Sequence, residues 1–135
     1  LDDAVIALMI EKNSAVENLE SLLSVDGVDM VQFGPADYSN SIGLPGQWSH
    51  PRVKAAERRV IETALRMGIA PRAEISHPSE AEPYLKMGVK HFCIGTDVSI
   101  LFNWFRDSGA GFNELLGREA PGASEKHGGY GGAGD

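Results

Sequence analysis

Four short apolar segments alternate with segments of helical periodicity, and this alternation constrains the fold more than any other feature. The apolar segments are AVIALMI, VDMVQFG, IAPRAEI and VKHFCIG, which begin at residues 4, 28, 69 and 89. Each reads as a strand, and the first is apolar enough to be buried on both faces. Strands that alternate with helices predict an α/β fold with a parallel sheet and helical crossovers.

Local signals place a helix after each predicted strand. The predicted helices cover residues 14–23, 51–67, 78–85 and 96–104. In the first of them, Ser14 and Glu17 have the spacing of a capping box. Thr96 or Asp97 is expected to cap the last. The polar stretch YSNSIGLPGQWSH, between the second strand and the second helix, predicts a loop.

Four βα units amount to half of a (β/α)8 barrel of the TIM type, whose usual size is about 250 residues. A free-standing small parallel sheet is the alternative. We assign residues 1–116 to the half-barrel. Residues 117–135 contain seven glycines and show no apolar period, so we expect a disordered tail there.

Composition excludes several classes of partner. The net charge of −7 and the pI near 5.0 argue against nucleic acid and anionic membranes as partners. A single cysteine, Cys93, excludes an internal disulfide and suits a reducing compartment. No apolar run approaches the roughly 20 residues of a spanning helix, and the N-terminus lacks the basic region of a signal peptide. We therefore expect a cytoplasmic protein.

Carboxylates follow the predicted strands at their C-terminal ends. These residues are Glu11, Asp37, Glu74 and Asp97. In a parallel barrel this end forms the active-site face. Ends of adjacent strands lie about 4.8 Å apart, so Glu11 and Asp37 would repel each other unless a cation lay between them. Hard oxygen ligands suit Mg²⁺ or Mn²⁺. The alternative is that these acids are solvated loop residues or helix caps.

Five segments carry a resemblance to a known family: ALMIEK, VDGVDMVQFGPADYS, GQWSHPRV, MGIAPRAEI and HFCIGTDVSIL. Together they resemble the C-terminal half of the HpcH/HpaI aldolases, which include 4-hydroxy-2-oxoheptanedioate and 2-dehydro-3-deoxyglucarate aldolases. The resemblance covers residues 4 to about 105. Its most specific part is the sequence GPAD together with a glutamate, Glu11, that lies 26 positions before Asp37.

The resemblance implies a metal-dependent (class II) aldolase, a carbon–carbon lyase that splits 4-hydroxy-2-oxo acids into pyruvate and an aldehyde through a metal-stabilised enolate. It implies that Glu11 and Asp37 bind Mg²⁺, Mn²⁺ or Co²⁺. The backbone N–H groups of Ala36 and Asp37 are then expected to hold the carboxylate of pyruvate. Met9 stands where the heptanedioate aldolases have a glutamine that contacts pyruvate, so the exact substrate stays open.

No catalytic residue is predicted within this chain. The family's catalytic histidine, its aspartate partner and an arginine that binds pyruvate all belong to the N-terminal half. Glu74 replaces an apolar pocket residue of some relatives. It either pairs with Arg72 or a nearby basic residue, which is the interpretation we favour, or helps to select a polar or hydroxylated aldehyde.

The last predicted helix is apolar on several sides, where Phe102, Trp104 and Phe105 lie. A helix that packs only against its own sheet has a polar face. The family packs this helix against a neighbouring subunit, so the resemblance implies a homo-oligomer.

Two other functions are compatible with the sequence. Lys12 follows Glu11 at a strand end, where its amine could form a Schiff base with pyruvate as in class I aldolases. Alternatively, the chain is a catalytically inactive half-barrel that only binds metal or assembles with a missing partner half through its exposed sheet edges.

Overall fold

The computed structural model describes residues 3–118, which form a parallel sheet with helical crossovers. The strands are β1 (Ala7–Ile10), β2 (Met30–Phe33), β3 (Ala70–Ile75) and β4 (His91–Ile94). They are neighbours in chain order, and all three pairs are parallel. The predicted order of four βα units is therefore confirmed.

Helices follow each strand of the sheet. They are α1 (Asn13–Glu17), α2 (Leu19–Leu23), α3 (Pro35–Ser41), α4 (Pro51–Met67), α5 (Ala81–Met87) and α6 (Asp97–Leu115). The chain divides after Ile94 into two compact units, and α6 belongs to the second. Within residues 3–118, no helix is both long enough and apolar enough to cross a membrane.

The longest helix of the first unit, α4, begins and ends where its sequence predicts. Pro51 occupies the first turn, and the His50 side chain accepts a hydrogen bond from the backbone N–H of Arg52 at 3.2 Å. Gly68 ends the helix with a φ of 76°, a left-handed conformation that favours glycine. The apolar face of α4 packs against the sheet in the main core.

The core lies on one face of the sheet only. Ile10 is 1% exposed and packs with the helices, whereas its neighbour Met9 is 46% exposed on the other face. The prediction that the first strand is buried on both faces was therefore wrong. Helices cover one face, and within residues 3–94 the opposite face, which lines the interior of a closed barrel, has no second layer.

The predicted capping box at Ser14 was also wrong. Helix α1 begins at Asn13, its N-cap is Lys12, and no side chain caps it. The Asn13 amide instead donates to the Glu17 carboxylate at 2.7 Å, so Glu17 is already engaged within the helix. Asn18, with φ −102° and ψ 23°, then separates α1 from α2.

Three other element boundaries differ from the predictions. The first part of the predicted polar loop is a helix, α3, which Pro35 opens. The helix expected from Pro78 starts as a 3-10 turn, and Pro83 lies in the first turn of α5, where a backbone N–H needs no partner. Helix α6 continues to Leu115, well beyond Trp104. Most of the predicted tail, residues 119–135, lies outside the described residues.

Candidate metal and substrate site

Glu11 and Asp37 lie just after the C-terminal ends of two adjacent strands, β1 and β2. Glu11 follows β1 directly, and Asp37 lies in the first turn of α3, which begins right after β2. The backbone N–H of Gly34 donates to the carbonyl of Ile10 at 3.0 Å. This bond continues the ladder between the two strands, so the start of α3 stays beside Glu11.

The side chain of Glu11 lies against Gly34. A Cβ atom built at Gly34 would lie 2.8 Å from Cγ and 3.2 Å from Oε1 of Glu11, and 3.4 Å from Cε of Met9. Since real Cβ atoms do not come within 3.0 Å of other atoms, only glycine leaves this space for Glu11. Gly34 is also the N-cap of α3, so the Glu11 carboxylate lies at the start of the helix that carries Asp37.

Both carboxylates are available as ligands. Glu11 is half-buried, Asp37 is exposed, and neither has a hydrogen bond or ion pair with another residue of the described range 3–118. The first backbone hydrogen bond of α3 runs from Tyr38 to the carbonyl of Gly34 at 3.0 Å. The N–H groups of Ala36 and Asp37 precede it, so they have no acceptor within the helix.

This donor set fits a hard divalent cation. Among residues 3–118, no group of three or more His, Cys, Asp or Glu side chains could hold a metal ion by itself. Two carboxylates with no other partner are instead a partial ligand set, which suits Mg²⁺ or Mn²⁺ because such ions keep several waters and accept substrate oxygens. The space that Gly34 leaves for Glu11 supports the same conclusion.

A polar contact ties the segment after Glu11 to α3. The backbone N–H of Asn13 donates to Oγ of Ser41 at 3.1 Å, and the Tyr38 hydroxyl donates to Oδ1 of Asn13 at 3.3 Å. Tyr38 is buried and packs on Phe33, with ring centroids 5.0 Å apart. Sequence reasoning missed these residues, since the contacts join positions 25 and 28 residues apart.

Glu74 takes part in a hydrogen-bonded chain on the open face of the sheet. Nε2 of Gln32 donates to Oε2 of Glu74 at 3.2 Å, and Nε of Arg72 donates to Oε1 of the same glutamine. Gln32 is only 5% exposed, whereas Glu74 is exposed. Among residues 3–118, Glu74 forms no direct ion pair with Arg72 or another basic residue, so that expectation was wrong; Gln32 links Glu74 to Arg72 instead. The sequence signal that could have identified Gln32 is its position as the lone polar side chain in the apolar segment MVQF.

The strand register places Glu74 level with the two strand-end residues. Gln32 pairs with Arg72, so Gly34, two residues further along β2, is level with Glu74 on β3. Ile10 pairs with Phe33, which makes Glu11 level with Gly34. Adjacent strands are about 4.8 Å apart, so the Cα atoms of Glu11 and Glu74 are separated by roughly 10 Å, with a glycine between them.

The other candidate residues, Asp97 and Lys12, take no part in the contacts described above. Asp97 is the first residue of α6, and its Oδ1 accepts from the backbone N–H of Val98 at 2.8 Å. The helix is capped by Thr96, whose side chain accepts from Ser99 in a capping box. Lys12 is exposed at the start of α1.

Comparison with known proteins places the sequence in one family. The family model described as HpcH/HpaI aldolase/citrate lyase matches residues 2–103. The hydroxypyruvate/pyruvate aldolase of Cupriavidus necator is 34% identical over 129 residues, which is 96% of this chain and 48% of that protein. The 4-hydroxy-2-oxo-heptane-1,7-dioate aldolase of Salmonella paratyphi B is 36% identical over 100 residues, 74% of this chain and 38% of that protein. The chain thus spans about half the length of the curated relatives it matches, or less.

Solved structures match the fold in the same partial way. The HpcH/HpaI aldolase from Desulfitobacterium hafniense DCB-2 superposes with a TM-score of 0.79 at 31% identity, over 88% of this chain and 46% of that one. The citrate synthase SbnG has a TM-score of 0.80 at 24% identity, over 84% of this chain and 46% of that one, and supports the fold alone. The four βα units therefore form half of a (β/α)8 barrel.

Proposed function

The chain belongs to the HpcH/HpaI aldolase/citrate lyase family, and we propose that it supplies the C-terminal half of a metal-dependent, class II aldolase barrel. The reaction is the reversible cleavage of a 4-hydroxy-2-oxo acid into pyruvate and an aldehyde. The observation that carries the proposal is the position of Glu11 against Gly34, at the start of the helix that presents Asp37. The similarity of this chain to two aldolases of the family supports the reaction class.

In this proposal, Glu11 and Asp37 hold a divalent cation, Mg²⁺ or else Mn²⁺ or Co²⁺. A cation bound there supplies Lewis-acid stabilisation for the negative charge of the pyruvate enolate. The N–H groups of Ala36 and Asp37 bind the pyruvate carboxylate, since they lack an acceptor within α3 and lie where the helix dipole favours an anion. Glu74 contacts the part of the substrate that leaves as the aldehyde.

The proton-transfer residues are expected in the N-terminal half of the barrel. Two histidines of the described range are already engaged in capping: the side chain of His50 accepts from Arg52, and that of His77 accepts from Ser79 at 3.2 Å. Neither lies at a strand end beside Glu11. This chain's role is therefore to bind and orient pyruvate, while a separate group moves the proton.

Two observations support a further proposal, that several copies of the chain assemble. The chain matches only part of the length of its relatives, and helix α6 has an apolar surface. Helix α6 has no buried residue and exposes large apolar side chains, among them Phe102, Trp104, Phe105 and Phe112. Contiguous exposed apolar surface of this kind is typical of protein–protein contacts. We propose that α6 packs against a second copy of the chain.

Removing either metal ligand tests the proposal. We expect Glu11→Gln and Asp37→Asn each to lower metal-dependent cleavage by at least about 100-fold, since each leaves the cation with one carboxylate. The assay couples pyruvate release to its reduction, using the chain together with the N-terminal half of a full-length relative. Glu62→Gln and Asp26→Asn, which alter exposed carboxylates elsewhere, serve as matched controls.

Three outcomes would contradict this account. Near-normal cleavage in either ligand variant would remove its core. Cleavage that survives EDTA and is lost on borohydride treatment with pyruvate would instead indicate a Schiff base on Lys12. Metal binding without cleavage, even with the N-terminal half present, would identify a half-barrel that serves only in assembly.

A further inference from the structure

Gln32 organises the polar residues on the open face of the sheet. Its side-chain oxygen accepts from the Arg72 guanidinium, which has donors only. This contact fixes the orientation of the amide, so its NH₂ group must face Glu74, to which it donates at 3.2 Å. Because Gln32 is 5% exposed, the chain of three residues rests on a side chain that is held by packing as well as by hydrogen bonds.

This arrangement leaves Glu74 with one oxygen available to a ligand. Oε2 accepts from Gln32, and within residues 3–118 no other group hydrogen-bonds to the carboxylate. An ionised carboxylate can only accept hydrogen bonds. Glu74 is also exposed, so Oε1 can accept from a group that enters from the open face.

The position of Glu74 determines which part of a substrate it can reach. It is level with Glu11 and Gly34, two strands from Glu11 and about 10 Å away between Cα atoms. If pyruvate lies at the corner formed by Gly34 and Asp37, the remainder of a 4-hydroxy-2-oxo acid extends along this row. The aldehyde part is then the part that meets Glu74.

The charge of Glu74 favours a hydrogen-bond donor and disfavours an anion. A carboxylate on the aldehyde would lie beside a like charge at Glu74. A hydroxyl group avoids this penalty and supplies the donor that Oε1 lacks.

We propose that Arg72 and Gln32 position Glu74 to accept a hydrogen bond from a hydroxyl group on the aldehyde part of the substrate. The site therefore prefers hydroxylated aldehydes to alkyl aldehydes of the same size. This inference rests on the proposed aldolase function, and it adds a substrate class and two positioning residues to it.

The test compares glycolaldehyde with propionaldehyde, in which a methyl group replaces the hydroxyl. In both reactions the pyruvate methyl carbon loses a proton and bonds to the aldehyde carbon, and the aldehyde oxygen gains a proton. The measured quantity is the ratio of kcat/KM for the two aldehydes, with the chain and an added N-terminal half. Intrinsic differences in aldehyde reactivity cancel when variants are compared with the unmodified protein.

We expect Glu74→Leu to lower this ratio by about 10-fold or more, the loss typical of a hydrogen bond to a charged group. Gln32→Leu and Arg72→Met should lower it in the same direction, because Glu74 loses its support. Arg72→Lys should restore much of the preference, since an ammonium can also donate to Gln32. Glu62→Gln, an exposed carboxylate on α4, is the control and should leave the ratio unchanged.

The outcomes separate this inference from the proposed function. An unchanged ratio in Glu74→Leu overturns the inference alone. Should that variant fail to fold, Glu74→Gln keeps the shape and removes the charge, and it should still lower the ratio because a neutral acceptor bonds less strongly. Failure of the unmodified protein, combined with the N-terminal half, to exchange the methyl protons of pyruvate overturns the proposed function, and the inference with it.

Discussion

At Gly34 a hydrogen atom lies where the Cβ atom of any other residue would clash with the side chain of Glu11. Its φ of −103° is ordinary, so the backbone conformation does not require glycine here. The requirement is space: a Cβ atom would lie 2.8 Å from Cγ of Glu11. The same residue thus shapes the end of β2 and the position of a proposed metal ligand on β1.

Substituting this glycine tests the proposed ligand geometry without removing a carboxylate. We expect Gly34→Ala to displace the Glu11 side chain and to weaken Mn²⁺ binding by roughly 10-fold or more, as changes around metal ligands do. Electron paramagnetic resonance of free Mn²⁺ measures the affinity directly. Gly109→Ala is the matched control, because a Cβ atom there meets nothing within 4 Å. Equal affinity in Gly34→Ala and the unmodified chain would exclude Glu11 as a ligand at this place.

At the residue scale, the sequence predicts the ends of strands better than it predicts contacts across the sheet. Glu11 could be predicted because it directly follows an apolar segment, and Asp37 because it follows the next one after the short sequence GPA. Gln32 could not, since its partners Arg72 and Glu74 lie 40 and 42 positions away. The expected Arg72–Glu74 pair was wrong for the same reason: residues two apart on one strand share a face, and what lies between them depends on the neighbouring strand.

Among the elements, α3 matters most to the site because it carries Asp37 and is tied to the segment after β1. The Tyr38 hydroxyl donates to Asn13, two residues after Glu11, and Asn13 donates from its backbone to Ser41. These bonds connect the elements that carry the two proposed ligands. They should therefore hold the ligands at a fixed separation.

Removing the Tyr38 hydroxyl tests this connection. We expect Tyr38→Phe to lower Mn²⁺ affinity several-fold and to reduce the free energy of unfolding by about 1 kcal/mol. Tyr84→Phe is the matched control: it removes a hydroxyl that donates to Glu57 at 2.9 Å, away from the strand ends. The control should lose similar stability in urea unfolding while its Mn²⁺ affinity stays unchanged. A similar loss of affinity in both variants would point to a general effect of stability.

Elements with strong local signals could be predicted, and elements without them could not. Helix α4 has a capping histidine, a first-turn proline and a C-terminal glycine, and its ends match the prediction. Helix α3 is seven residues long, which is too short for an apolar period, and Tyr38 is its single large aromatic residue. The prediction that β1 is buried on both faces was wrong because its composition suits a closed barrel, whereas residues 3–94 supply a layer of helices on one face of the sheet only.

For the whole molecule, the central feature is that four βα units leave a sheet with one open face. In the strand order β1-β2-β3-β4, the outer strands β1 and β4 each have one edge that no strand among residues 3–118 pairs with. The chain covers 48% and 38% of two curated aldolases. Both facts agree with half of a (β/α)8 barrel.

The apolar surface of α6 gives a separate prediction about assembly. We expect Phe105→Glu to shift the protein to a smaller species, because a charge in an apolar contact carries a desolvation cost. Size-exclusion chromatography with light scattering over a range of concentrations measures the change. Asn103→Glu adds the same charge to an exposed polar position of the same helix and should leave the size unchanged. Equal sizes for Phe105→Glu and the unmodified chain would exclude this side of α6 from the contact.

The most direct measurement of the central claim is the loss of the pyruvate methyl signal in D₂O, followed by proton NMR with Mg²⁺ and then with EDTA. It detects enolate formation without any choice of aldehyde. With an added N-terminal half, we expect exchange that requires Mg²⁺, stops with EDTA and is lost in Asp37→Asn. Exchange that continues in EDTA, or that survives Asp37→Asn, would contradict a metal-dependent pyruvate site at Glu11 and Asp37.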